Sequence, residues 1–246
     1  GIQMRMLTFG KRCAKEILRD PLNLVFGLGF PIVLLILLSA IQSNIPVKLF
    51  EIESLAPGIA VFGLSFMTLF SATLVARDRE SALLQRLYTS PLKAADFIVG
   101  YMLPIIPIAI AQCAICYLVA IILGLSVTAN ILHAILMIIP FAIFQIALGL
   151  LCGSVLNVKQ VGGVCGALLT NLTAWLSGVW FDLDLVGGSF RKIANMLPYV
   201  HAVELERAMI KGDYSELLPH VCVVIGYTIV ITIGAILMFL RQMKKQ

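Results

Sequence analysis

Arg77-Asp78-Arg79-Glu80-Ser81-Ala82-Leu83-Leu84-Gln85-Arg86-Leu87-Tyr88-Thr89-Ser90-Pro91 is a strongly charged run set between long apolar segments. A run of that charge sits in water or against a partner, so the segments on either side of it are read relative to a surface. As a helix it places Leu83, Leu84, Leu87 and Tyr88 on one stripe, while Arg77, Asp78, Glu80, Ser81 and Gln85 lie mostly off it. The expectation is a short amphipathic helix whose stripe, Leu84 and Leu87 above all, enters a groove on a partner. Ser90-Pro91 reads as an N-cap followed by proline at the first position of the next helix.

The composition sets the class of everything around that run. Of the 246 residues 60% are hydrophobic and 13% charged, with mean hydropathy +1.01, whereas soluble domains carry about 25% charged residues. This is the composition of an integral membrane protein. A spanning helix needs about 20 apolar residues, and six such runs are predicted at 22–41, 57–75, 97–125, 131–156, 161–180 and 219–240 within a single transmembrane domain, 1–246. The first twenty residues lack the apolar core and small-residue cleavage site of a signal peptide.

The expected architecture is therefore all-α. It has six transmembrane helices, an N-terminal interfacial amphipathic helix, a cytoplasmic coupling helix between spans two and three, and an outer helical hairpin between spans five and six. Before span one, Arg12, Lys15 and Arg19 collect with Arg5 and Lys11 on a helical face opposite Met6, Phe9, Cys13 and Ile17. That segregation predicts a helix lying along the membrane, basic side toward lipid headgroups. Asp20-Pro21 caps span one. Pro104 and Pro107 predict a kink or break in span three, and Gly162-x-x-x-Gly166 a close packing seam in span five. Pro198 divides the polar segment 181–218 into short helices at 190–197 and 200–210, with Gly212 as a stop. Thirteen Lys and Arg fall on the side of the termini and five on the other, which places both termini in the cytoplasm of a multi-pass protein of the cell membrane.

The side-chain chemistry excludes several classes of activity. No Gly-x-x-x-x-Gly-Lys phosphate loop occurs, so nucleotide hydrolysis is not expected here. His133, His201 and His220 lack ligand spacing, so no metal is expected, and no Ser, His and Asp grouping suggests a catalytic residue. Cys113-x-x-Cys116 lies inside an apolar run and reads as two small buried thiols. No charged residue falls deep in a predicted span, which removes the relay or counter-charge that an ion-coupled carrier needs. Energy for transport must then come from outside the chain. Neither a cofactor on this chain nor a nucleic-acid partner is expected.

Arg79-Glu80, Leu84, Leu87 and Thr89-Ser90-Pro91, at the start of span three, resemble the Glu-Arg-Glu-x-Gly-Thr-Leu-Glu-x-Leu-x-x-Ser-Pro signature of the membrane-spanning subunits of type-2 ATP-binding-cassette exporters. Leu197-Pro198-Tyr199-Val200-His201-Ala202-Val203-Glu204 with Arg207 and Gly212-Asp213 is similar to that family's outer hairpin, and Trp175-Leu176-Ser177-Gly178 to the end of its fifth span. Here Ala82 and Leu83 stand in place of Gly-Thr, and Gln85 in place of the second Glu. The resemblance implies a separate ATPase subunit carrying ATP and magnesium, and a second permease unit, expected as a homodimer. It assigns coupling to Arg79, Glu80, Leu84, Leu87 and Pro91. The cargo it implies is a drug, antibiotic, peptide or lipid-like molecule, as in multidrug efflux, and the apolar spans agree with a hydrophobic or amphipathic one. Phe141, Phe144, Gln145, Asn171 and Trp175 are the candidate pathway residues. A secondary carrier and a non-transporting scaffold or assembly factor are the competing classes.

Overall fold

A computed structural model describes residues 2–245, which form helices with no strand among them. The first helix, α1 (Ile2–Leu18), is followed by α2 (Pro21–Ser43). The entry to α2 is capped as its Asp-Pro start predicts: Asn23 donates its backbone N–H to the Asp20 carboxylate at 3.5 Å and its side-chain amide at 2.8 Å. Then come α3 (Ile52–Gly63), α4 (Ser65–Glu80) and the five-residue α5 (Leu83–Leu87). Next are α6 (Ala94–Ile122), α7 (Ala129–Met137) and α8 (Ile139–Val155). The fifth predicted span is composite: α9 (Val158–Gly163), a π-helical turn (Val164–Leu168) and α10 (Leu169–Leu176). A 3-10 turn at Leu183–Leu185 leads to α11 (Gly188–Met196), α12 (Pro198–Lys211) and α13 (Leu217–Lys244).

Five stretches are long and apolar enough to cross a membrane: Pro21–Ser43, Ile52–Glu80, Ala94–Ile122, Ala129–Val155 and Leu217–Lys244. The composite run through α9 and α10 is interrupted by its π-turn and is not among them. Helix α6 runs unbroken through Pro104 and Pro107, so of the kink or break expected there the break is absent. The cap of α6 also lies further on than Ser90-Pro91. Lys93 N–H donates to Asp96 Oδ2 at 2.8 Å, and Ser90 instead closes the preceding turn by donating to the Leu87 carbonyl at 2.5 Å. Gly212, at φ 74°, ends α12 as expected.

The centre of the molecule is the seam between α4 and α8. A Cβ on Gly149 would stand 1.9 Å from Ser71 Oγ and 2.4 Å from the Thr68 carbonyl oxygen, and one on Gly153 would stand 2.6 Å from the Ala72 carbonyl oxygen. Only glycine lets the two backbones meet this closely, the general device of helix packing in lipid. Thr68 and Ser71 donate across the seam to the carbonyls of Gln145, at 2.7 Å, and Ile146, at 3.1 Å. The close seam is therefore Gly149-x-x-x-Gly153. At Gly162 nothing lies within 4 Å of an added Cβ, and at Gly166 only Leu69, at 3.6 Å, comes near. Around the seam, α2 and α13 leave Leu22, Val25, Phe26, Val33, Ile229, Val230, Ile233 and Leu237 exposed, an apolar exterior suited to lipid.

Helix α1 packs differently from the expectation. Its apolar residues Phe9, Cys13 and Ile17 are buried, and Phe9 meets Phe97 and Tyr101 edge-on at 5.6 and 4.8 Å. The face expected to lie in lipid is thus covered by α6, because Gly100 leaves a hollow that the Phe9 ring fills; a Cβ there would be 2.4 Å from that ring.

Candidate coupling site

The charged run resolves into two pieces with a joint between them. Arg77, Asp78, Arg79 and Glu80 are the last turn of α4, and Ala82, at φ 61° in the left-handed region, turns the chain into α5. One continuous amphipathic helix, the expectation for this stretch, is thereby corrected. An L-residue in that region carries about 1–2 kcal/mol of strain. It stands where the resembled signature has glycine.

The four residues on that last turn tie α4 to three other parts of the chain. Asp78, 2% exposed, accepts both guanidinium nitrogens of Arg12 on α1, one of them at 2.6 Å. It also accepts the hydroxyl of Tyr101 on α6 at 2.6 Å. Arg12 therefore points into the protein and not to headgroups. Burial works against its charge, but the hydrogen bond and charge of Asp78 more than offset this and hold its pKa above the ordinary value. Burial pushes the neighbouring Cys13 thiol up to about 12. Arg77 reaches Asp20 at 3.2 Å on the surface. Lys15 and Arg19 are exposed, Arg19 paired with Glu16 at 3.2 Å.

Arg79 and Glu80 act as a pair on the turn between α8 and α9. Arg79 Nη1 donates to the carbonyls of Gly153 at 2.8 Å and Leu156 at 2.9 Å, groups that the end of α8 leaves without helical partners. Glu80 Oε1 accepts the N–H of Val158 at 3.0 Å, the first residue of α9. A cation at one helix C-terminus and an anion at the next N-terminus match both helix dipoles. Asn157 and Gln160 close the same turn with a reciprocal capping box at 2.8 and 3.1 Å.

Leu84 is 1% exposed and belongs to the chain's own core, so it is not free to enter a partner. Leu87 is half-buried. With Leu83, Phe9 and Leu92 it lines an open apolar groove of about 360 Å³ between α1 and α5, rimmed by Arg5 and Arg12. Pro91 is exposed in the turn after α5.

The chain that builds this site has a match among known families. The family model described as ABC-2 type transporter covers residues 4–210. The chain belongs to the ABC-2 type transporter family. No curated protein matches it significantly. An ABC-2 membrane chain is a transporter permease with no catalysis of its own, and the family in general works with an ATP-binding-cassette partner.

In this ABC-2 permease the candidate pathway residues fall into two groups. Phe141, Phe144 and Gln145 are buried inside the subunit. Phe144 packs against Tyr199 and Tyr227 at 6.2 and 6.1 Å, and the Gln145 side chain meets the Thr68 hydroxyl at 2.6 Å. Asn171 and Trp175, by contrast, line a groove of about 490 Å³ together with Phe30, Phe62, Phe66 and Trp180, with no charged lining residue.

Two functional-looking groups escape a reading by polarity. Glu206, fully buried on α12, accepts the Tyr117 hydroxyl at 2.9 Å. Burial pushes its carboxyl well above the ordinary value, and the Tyr117 bond offsets this only in part. Arg207 beside it donates to the carbonyl oxygens of Ser54 at 2.9 Å and Gly178 at 3.4 Å, and burial lowers its pKa, with the charge of Glu204 acting the other way. The signal for Glu206 lay in the spacing: Tyr199, Ala202, Val203, Glu206 and Met209 share one helical stripe.

Proposed function

We propose that this chain is the membrane-spanning subunit of an ATP-driven exporter, working as two identical copies with a separate ATPase that binds ATP and magnesium. The reading is carried by one observation: Arg79 and Glu80, next to α5, grip the start of the composite span whose far end lines the aromatic groove. A push on α5 and α1 then has a short covalent and hydrogen-bonded route to the groove. The ATPase docks on the apolar groove between α1 and α5, using Leu87, Leu83 and Phe9, while Leu84 holds α5 from beneath. Both termini face the cytoplasm of the cell membrane, and α11 and α12 form the outer hairpin. Cargo uses the groove lined by Asn171, Trp175 and the phenylalanines. Uncharged and aromatic, that lining suits a hydrophobic or amphipathic molecule, such as a drug, antibiotic, peptide or lipid-like compound, in the manner of multidrug efflux.

The test is co-expression and co-purification with a candidate ATP-binding-cassette ATPase, with ATP hydrolysis and transport measured in lipid. Glu80→Ala should leave the complex assembled and hydrolysing while transport per ATP falls severalfold. Loss of assembly with Glu80→Ala, or unchanged transport per ATP, would remove the coupling role.

A further inference from the structure

Helix α11 leaves large apolar side chains uncovered. Ile193 and Met196 are exposed, as are Leu185 and Val186 just ahead of the helix, a cluster that in water would be unfavourable and that marks a surface meant to be covered. At its end α11 runs onto α13, where the Tyr227 hydroxyl donates to the Met196 carbonyl. Between the two helices lies an open groove of about 560 Å³, lined by Met196, Val223, Gly226, Tyr227 and Val230 among others, with no charged residue in its lining. No atom lies within 4 Å of a Cβ added to Gly226, so this glycine leaves room that the protein itself does not fill.

One wall of this groove is a helix that crosses the membrane. Leu217–Lys244 is long and apolar enough to span, and Ile225, Ile229 and Ile233 stand exposed along it. From Cys222 to Val230 the groove follows α13 for about 12 Å, against the roughly 15 Å that one leaflet contributes to the hydrocarbon core. Polar groups mark its mouth. Glu204 lies 3.0 Å from Arg191 and 3.2 Å from His220 in the first turn of α13, so Arg191 is committed to Glu204. Lys192, the next residue, is exposed and makes no salt bridge among the described residues. It precedes Met196 by one turn on the same face of α11. A cation at the level where α13 enters the membrane thus stands over an apolar slot nearly one leaflet deep.

We propose that the groove between α11 and α13 is a binding site for one anionic glycerophospholipid, with an acyl chain along Met196, Gly226 and Val230 and the phosphate at Lys192. Hydrocarbon is what meets the outer face of a spanning helix, and an extended protein segment laid there would carry backbone groups with no partners. Gly226 gives the chain its width, and the Tyr227 bond holds α11 where the slot stays open. One lysine near a membrane surface favours an anionic over a zwitterionic headgroup by about fivefold. The site rests on α13 crossing the membrane and not on the transport reading.

Native mass spectrometry of the protein released from nanodiscs counts the lipid it retains. With phosphatidylglycerol and phosphatidylcholine of identical chains in equal amounts, the wild type should keep one phosphatidylglycerol about fivefold more often than one phosphatidylcholine. Lys192→Gln should bring that ratio near one while a lipid is still held. Gly226→Leu, whose side chain enters the groove, should lose the lipid, whereas Gly234→Leu, on the same helix and equally open around its Cβ, should keep it. Equal retention of the two lipids by the wild type would overturn the proposal, as would a Gly226→Leu variant that keeps its lipid or a Gly234→Leu variant that loses it. So would quantitative disulfide-linked dimer through Cys222 in protein stripped of its other cysteines, because a second copy would then occupy the groove.

Discussion

Asp78 shows how much depends on one carboxylate. It serves Arg12 and Tyr101 at once while nearly excluded from water. Asp78→Asn leaves a guanidinium without its counter-charge. Breaking a buried pair costs about 3–5 kcal/mol, but Arg12 keeps 32% of its side chain exposed, so a loss of roughly 2 kcal/mol is expected. The double variant Arg12→Met with Asp78→Asn should recover part of that loss, because no unpaired charge remains. Thermal unfolding of the two single variants and the double variant in nanodiscs closes the cycle, and strictly additive losses would show that the two residues do not act together. Glu206 poses the opposite case. Its folded-state pKa lies above the unfolded value, so the folded protein keeps the proton longer. The stabilisation is fully present below the ordinary carboxylate range and declines as pH rises through the folded pKa. Glu206→Gln removes that slope. Its apparent melting temperature should match wild type near pH 5 and exceed it near pH 8; a wild type that gains stability between those two pH values would contradict the assignment.

Among the elements, α5 is held at an angle by a strained joint. Ala82→Gly relieves about 1–2 kcal/mol of left-handed strain and gives back about 0.5–1 in unfolded-chain entropy, so a net gain of about 0.5 kcal/mol is expected. That corresponds to a rise of about 1–2 °C in melting temperature for a chain of this size. Ala82→Val should lower it, since a β-branched side chain fits that region worse. A melting temperature unchanged by glycine and raised by valine would rule out the strain. The helices themselves were readable from hydropathy and from Asp20, Pro21 and Gly212, because those signals are local. The direction in which α1 and α5 face was not, because an amphipathic stripe records that one side is covered and says nothing about what covers it. Arg12 looked like a headgroup ligand for the same reason: its partner lies 66 positions away in sequence. Glu80 gave a motif, and only the fold shows that its carboxylate ends on Val158.

At the scale of the whole molecule, α1, the last turns of α13, α5 and the turn at Asn157 gather at one end, with the hairpin at the other. The thirteen-to-five distribution of basic residues predicts which end faces the cytoplasm. A cysteine at Lys93, with the native cysteines replaced, should resist an impermeant thiol reagent in intact cells, while one at Asp184 should react. Labelling at position 93 and protection at 184 would invert the molecule.

The α4–α8 seam has a mechanical consequence. Two rods in contact at Gly149 and Gly153, with hydroxyls bonded to carbonyls across the joint, resist sliding past one another. On the proposed coupling, force arriving at α4 is resisted by this seam and passed on toward the turn held by Arg79 and Glu80. The run from Val158 to Leu176 is where it can be spent: a turn of looser winding in the middle, open space around Gly162, one end clamped by Glu80 and the other beside the aromatic groove. On that proposal the protein works as a stiff frame carrying a compliant strut.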